Sequence, residues 1–404
     1  MSVPVQAEPQ SDSHVMGVYN RAPLAFVRGE GVRLYGDDGR DYLDCVAGIA
    51  VNGLGHCHPR LVQTLKDQGE KLWHVSNIYR IPDQETLAAR LCAATFADQV
   101  FFTNSGTEAV ELALKVARRH QAAKDHPERI DVITFEGAFH GRTYAAVTAG
   151  GNESYLEGFG PRLPGYINLP FGDMDALEAA VGPTTAAILL EPVQGEGGAR
   201  AFTDAQLRRM RELCDREGAL LMFDEIQSGM GRTGRLFAYE WSGVVPDVMC
   251  VAKALGGGFP VGALLATHYA ADAMTVGAHG STYGGNPLAM AVALAAFDEI
   301  AKPELLDHVT QISGYLGQQL AGLKDRYPDI IQEIRGKGLL IGLKLIPNNR
   351  DFMAMARDNQ LLIAGGGENC VRLLPPLILT QDEAREAIEK LELTCDLARA
   401  KAAA

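Results

Sequence analysis

The chain has 404 residues, of which 47% are hydrophobic, 22% charged and 7% aromatic, and it carries a formal net charge of −13. That length is too great for one small core and predicts two or three domains. The acidic balance argues against nucleic-acid and anionic membrane partners, both of which would repel it.

Residues 1–15 are polar and read as loosely ordered. The stretch before Arg21 lacks the basic residues of a signal or transit peptide, and the longest apolar run, 289–297, is far short of the roughly 18 residues of a membrane span. Seven scattered cysteines without C-x-x-C spacing read as reduced thiols, so a cytoplasmic protein is expected. Residues 24–35 alternate, and Gly36-Asp37-Asp38-Gly39 supplies turn chemistry before 41–45, so hairpins open the chain. His56-Cys57-His58-Pro59 resembles a metal cluster, but no second ligand group has suitable spacing, and no metal is expected.

From about residue 60, short apolar runs at 100–102, 132–135, 186–190, 219–223, 248–251 and 261–266 alternate with helical patterns such as 107–119 and 204–217. In the first pattern Ala109, Leu112, Ala113, Val116 and Ala117 share a face, and Glu111 and Lys115 form an i,i+4 pair. The alternation predicts an α/β fold whose mostly parallel sheet is covered on both faces. After Pro287 follow helical stretches at 288–300 and 303–327, a strand pair within 331–346, a helix near 352–359, a strand at 371–374 and a helix over 381–398. These predict a smaller α+β domain. Gly336-Lys337-Gly338 is a turn before a strand, without the helix of a dinucleotide site. The expected division is 1–60, packing with the small domain; 61–287, the large domain; and 288–404, the small domain.

In open α/β sheets ligands bind beyond the carboxyl ends of the strands, and three such ends carry reactive groups here. Thr103-Asn104-Ser105-Gly106-Thr107-Glu108 opens a helix after a strand, which suits an anion and equally suits a plain N-cap by Ser105 or Thr107. Asp224 closes a buried strand as a metal ligand, an N-cap or an acid facing a ring nitrogen. Lys253, between an apolar strand and Gly256-Gly257-Gly258, is either a solvated surface group or a partly buried amine turned nucleophile. Phe139 is a core residue or a ring that stacks on a planar ligand. Together a phosphate site, a carboxylate for a pyridine nitrogen and an amine for an aldehyde meet the needs of pyridoxal 5'-phosphate.

At this point six ordered motifs resemble the class III aminotransferases: Asn104 to Glu108, Phe139-His140-Gly141-Arg142-Thr143, Glu191-Pro192-Val193-Gln194-Gly195-Glu196-Gly197-Gly198, Phe223-Asp224-Glu225-Ile226-Gln227, Ala252 to Gly258, and Thr282-Tyr283-Gly284-Gly285-Asn286-Pro287. The likeness runs from about 18 to 398 and is strongest to the acetylornithine branch. It implies the fold type I architecture of pyridoxal-phosphate-dependent transferases, with a seven-stranded, mostly parallel sheet. It also implies Lys253 holding the cofactor as a Schiff base, Asp224 on the pyridinium, Gln227 near the phenolic oxygen, and Phe139 on the ring face. Gly106 and Thr107, with Ser105 nearby, would take the phosphate. Thr282 would reach the phosphate in a neighbouring subunit, which implies a homodimer with shared sites. Arg142 would bind the distal carboxylate of acetylornithine and of glutamate or 2-oxoglutarate. Arg372 would bind the α-carboxylate of glutamate, Glu196 would neutralise it in the other half-reaction, and Ser281 would touch substrate from the partner subunit. Ile49 stands where ornithine enzymes carry a tyrosine. An interdomain ion pair for Arg372 and a turn role for Ser281 stay open.

Overall fold

The computed structural model describes residues 14–403, so the greater part of the 1–15 segment lies outside the described residues. β1 (Phe26–Glu30), β2 (Arg33–Gly36) and β3 (Asp41–Asp44) form the expected antiparallel meander. The central part of the chain contributes β4 (Gln99–Thr103), β5 (Asp131–Phe135), β6 (Tyr166–Leu169) and β7 (Thr185–Leu190), then a short hairpin of β8 (Val193–Gln194) and β9 (Arg200–Ala201). It ends with β10 (Leu220–Asp224), β11 (Val248–Val251) and β12 (Gly262–Ala266).

Seven of these strands make one sheet in the order β4-β12-β11-β10-β7-β5-β6. All run parallel except β12, which is antiparallel to both neighbours. The strands read as continuous apolar runs because both faces are covered, and alternate residues sort to opposite sides. Ala187, Leu189, Met222 and Cys250 pack with Ala109, Leu112, Ala113 and Val116 of the helix Gly106–Ala122. Ile188, Leu190, Leu221, Phe223, Met249 and Val251 share the other core with Leu207, Met210 and Leu213 of the helix Asp204–Glu217. That helix begins with a capping box between Thr203 and Gln206.

The C-terminal part adds β13 (Ile331–Lys337), β14 (Leu340–Leu345), β15 (Leu361–Leu362), β16 (Ala364–Gly366) and β17 (Cys370–Leu373). Four of them form a second sheet, β13-β14-β17-β16, while β15 pairs in parallel with β3. The helices Pro287–Ile300, Pro303–Arg326, Asn349–Asp358 and Gln381–Ala403 lie close to the helical patterns of the sequence. Several elements had no counterpart in the apolar pattern, among them the helices Pro59–Gly69 and Pro82–Ala94, and β6. β6 is an edge strand, half-buried throughout, so its Tyr-Ile-Asn-Leu sequence never builds a buried run.

Candidate active site

Because β7, β10 and β11 run in register, the residues at their carboxyl ends meet at one level: Phe223 lies opposite Leu190, and Asp224 opposite Cys250. The antiparallel β12 places Gly262 beside Thr103, at the end of β4. A cavity of about 480 Å³ opens above this row, lined among others by Ser105, Gly106, Thr107, Phe139, Arg142, Glu196, Asp224, Gln227 and Lys253. Nine residues singled out from the sequence, read from different strands, thus share one wall.

Lys253 follows β11 after one residue, Ala252, and takes a left-handed backbone, φ 49°. A side-chain-bearing residue held there costs about 1–3 kcal/mol and persists only where its surroundings enforce it. Its amine is driven to a pKa of about 8, chiefly by burial, with Arg372 adding to that effect and the carboxylates of Glu196, Glu191 and Asp224 opposing it. A free amine is therefore available near neutral pH. Gly256 lets the chain fold back, since a Cβ there would sit 1.9 Å from the Phe259 carbonyl oxygen.

Asp224 is buried; its Oδ2 shares a 2.8 Å hydrogen bond with His140 Nδ1, and its Oδ1 accepts from the Ile226 amide at 3.0 Å. Burial opposes a charge on His140, but the hydrogen bond to Asp224 and the charges of Asp224 and Glu191 outweigh it and raise the imidazole pKa. Glu191 closes β7 as Asp224 closes β10. Its carboxylate accepts from the Phe139 amide at 3.0 Å and the Gly195 amide at 3.2 Å, and burial, then the Asp224 charge, pushes its pKa up. His140 and Glu191 were not recognised as site residues in the sequence. The signal for Glu191 was present: a carboxylate directly after the apolar run 186–190, the same pattern that marked Asp224.

Ser105 caps the helix Gly106–Ala122 by accepting from the Glu108 amide at 3.3 Å, so the plain capping role is filled while the helix end also faces the cavity. Thr107 Oγ1 accepts from the Arg142 amide at 3.2 Å. The approach is so close that a Cβ on Gly141, itself at φ 131°, would lie 1.6 Å from that oxygen. Phe139 and Tyr155 meet edge to face, 6.4 Å between centroids, and the Arg142 guanidinium sits 3.6 Å above the Tyr155 ring.

Arg372, in β17, is buried, and each of its three guanidinium nitrogens donates a hydrogen bond. Nη2 donates to Glu196 at 2.7 Å and to the Gly365 carbonyl at 2.6 Å, Nε donates to the same carbonyl at 2.9 Å, and Nη1 donates to Gln227 Oε1 at 3.2 Å. The chain around Ile49 forms a left-handed turn, φ 49°, 63°, 65° and 60° from Ala47 to Ala50, and it is held by Asp44 accepting from the Val46 and Ala47 amides at 2.8 and 3.0 Å. Ile49 packs with Ala50, Val193 and Leu374, and Val51 reaches the cavity. Ser281 and Thr282 do not line this chain's own cavity: Ser281 Oγ accepts from the Gly284 amide at 2.9 Å, as in a turn, and Thr282 is exposed. His56, from the metal-like motif, is hydrogen-bonded to Asp44 at 2.7 Å.

The family description "Aminotransferase class-III" matches residues 16–395. The chain is a class III aminotransferase. It is 68% identical over 396 residues to "Acetylornithine aminotransferase 2" of Caulobacter vibrioides, covering 98% of each chain. Among solved structures it is similar to the N-acetylornithine aminotransferase of Stenotrophomonas maltophilia, with a TM-score of 0.84, 37% identity, and 96% of this chain and 98% of that chain covered. The ornithine aminotransferase of Toxoplasma gondii aligns with a TM-score of 0.89 at 32% identity, covering 96% of this chain and 94% of that one. Class III aminotransferases work with pyridoxal 5'-phosphate, and the donor set here fits that group: a buried amine of lowered pKa, a buried carboxylate backed by His140, and a helix N-terminus open to the same cavity.

Proposed function

We propose that this aminotransferase moves the terminal amino group of N2-acetyl-L-ornithine to 2-oxoglutarate, giving N-acetyl-L-glutamate 5-semialdehyde and L-glutamate, by a ping-pong route that belongs to arginine biosynthesis. The observation that carries the reading is the Arg372–Glu196 pair beside Lys253. Two successive substrates must use one site. Glutamate brings a carboxylate next to its reacting carbon; acetylornithine brings bare methylenes to the same place. A buried guanidinium facing methylenes costs several kcal/mol unless an acid neutralises it, and Glu196 does so in the present arrangement. When glutamate binds, Glu196 yields and Arg372 takes the carboxylate. Arg142 holds the distal carboxylate of both substrates.

Pyridoxal 5'-phosphate, when bound, supplies the aldehyde and the electron-withdrawing ring. The protein's part is positioning and proton traffic. Lys253 Nζ would hold the aldehyde and, once released, would be the group placed to move a proton at the substrate carbon. Asp224, oriented by His140, would pair with the ring nitrogen of the cofactor. Ser105, Gly106 and Thr107 would offer hydroxyls and helix N-terminal amides to the phosphate, Gln227 would serve the phenolic oxygen, and Phe139 would cover the ring face.

We further propose a cytoplasmic homodimer in which Ser281 and Thr282 serve the neighbouring subunit's site. The support is a surface patch around them: Trp73, Ile78, Tyr79 and Tyr283 are exposed, and Asn77 ties the two segments by donating to the Ser281 and Gly284 carbonyls at 3.2 and 3.0 Å. Such a patch of large apolar groups marks an interface. The division into 1–60, 61–287 and 288–404 belongs to the same proposal. Among the described residues no helix is long and apolar enough to cross a membrane.

Steady-state comparison of acetylornithine, succinylornithine, ornithine and 4-aminobutyrate as donors to 2-oxoglutarate tests the assignment. It predicts the highest kcat/KM for acetylornithine; a preference for ornithine or 4-aminobutyrate would overturn it.

A further inference from the structure

The two arginines of the site are held in opposite ways. Arg372 is gripped by its edge, with in-plane N–H groups spent on Glu196, Gln227 and the Gly365 carbonyl. Arg142 is held by its face: its guanidinium carbon lies 3.6 Å above the Tyr155 ring and 5.7 Å from the Phe139 centroid, and among the described residues no carboxylate pairs with it. A guanidinium donates only in its plane, so stacking fixes its position and leaves the whole fork free for an incoming carboxylate. An acidic partner would instead have to be displaced at every turnover.

Tyr155 is built for that task. It ends a short 3₁₀ turn, Glu153–Tyr155, whose start is capped by Asn152 accepting from the Ser154 amide at 3.0 Å and the Ser154 hydroxyl at 2.7 Å. Leu156 behind it is buried, and the Phe139 ring meets Tyr155 edge-on. The Arg142 backbone is fixed from the other side by its amide on Thr107 Oγ1. Arg142 lines the reactive cavity, Tyr155 lines an adjoining space of about 840 Å³, and Phe139 borders both.

We propose that Tyr155 is a positioning residue that keeps Arg142 open for the distal carboxylate of both substrates, so that specificity for carboxylate-bearing substrates is set by an aromatic face rather than by an ion pair. The inference rests on the carboxylate-binding role given to Arg142 above. A stacked cation is worth about 0.5 to 2 kcal/mol, a factor of roughly 2 to 30 in affinity.

The test is calorimetric binding of glutarate, an unreactive dicarboxylate, to the holoenzyme, alongside steady-state kinetics. Tyr155→Leu is expected to raise the glutarate Kd about 2- to 30-fold and to raise KM for acetylornithine and 2-oxoglutarate together, with kcat held within about twofold. Tyr155→Phe, which keeps the ring, is expected to stay within about twofold of the parent throughout. Loss of affinity in Tyr155→Phe equal to that in Tyr155→Leu would mean a hydroxyl contact and overturn the proposal, as would unchanged binding in Tyr155→Leu. Arg142→Ala separates the two levels. If it weakens glutarate and Tyr155→Leu does not, only the Tyr155 role falls; if it binds glutarate normally, the carboxylate assignment falls and takes this inference with it.

Discussion

Lys253 is the residue on which the chemistry turns, and its depressed pKa has a thermodynamic sign. The ordinary value is 10.5 and the folded value about 8. Between these the unfolded chain binds the proton and the folded chain does not, so stability rises with pH across that window. The penalty is fully present below about pH 8. In the cofactor-free protein, denaturant unfolding should show a gain of about 1–3 kcal/mol from pH 8 to 10.5, discounted because the side chain borders the open cavity, and Lys253→Met should abolish it. A pH-independent difference between the two proteins would contradict this. Glu196 gives a second residue-scale prediction. Glu196→Ala leaves Arg372 without its acid when acetylornithine is bound, so the acetylornithine half-reaction should fall on the order of tenfold or more while the glutamate half-reaction changes little. Rapid-mixing measurement of each half-reaction separately checks this, and equal losses would count against the switch.

At the scale of elements, the site depends on close backbone approaches between the turn after β5 and the start of the helix Gly106–Ala122. Gly141→Ala puts a Cβ onto Thr107 Oγ1 at a backbone angle disfavoured for alanine. It should destabilise by about 2 kcal/mol or more and weaken phosphate binding, read as a lower Tm and a higher Kd for pyridoxal 5'-phosphate. The same geometry decides which site residues the sequence reveals. Asp224 and Lys253 could be found because each directly follows an apolar run, and a parallel sheet aligns such ends. Glu191 carried that signal and was passed over. Tyr155 and His140 could not be weighed: their roles arise from contacts between a short turn, an arginine and an acid distant in sequence. The reversed direction of β12 was equally hidden, since a buried strand reads the same either way. The left-handed turn at Ala47–Ala50 has one glycine among four residues, too few to announce it.

For the whole molecule, the proposal of shared sites makes assembly and activity one property. Thr282 is exposed in the single chain, as are the large apolar residues Trp73, Ile78, Tyr79 and Tyr283. Trp73→Asp, at the patch, should shift sedimentation equilibrium from dimer toward monomer and lower activity in proportion to the monomer fraction. A variant that sediments as a monomer yet retains full activity would refute the sharing. Lys253 as the amine that holds the cofactor can be checked by borohydride reduction of the purified holoenzyme followed by peptide mass mapping. The predicted result is one pyridoxyl group per chain, on Lys253, with loss of activity. A label on another lysine, or a fully active reduced enzyme without label, would contradict the account.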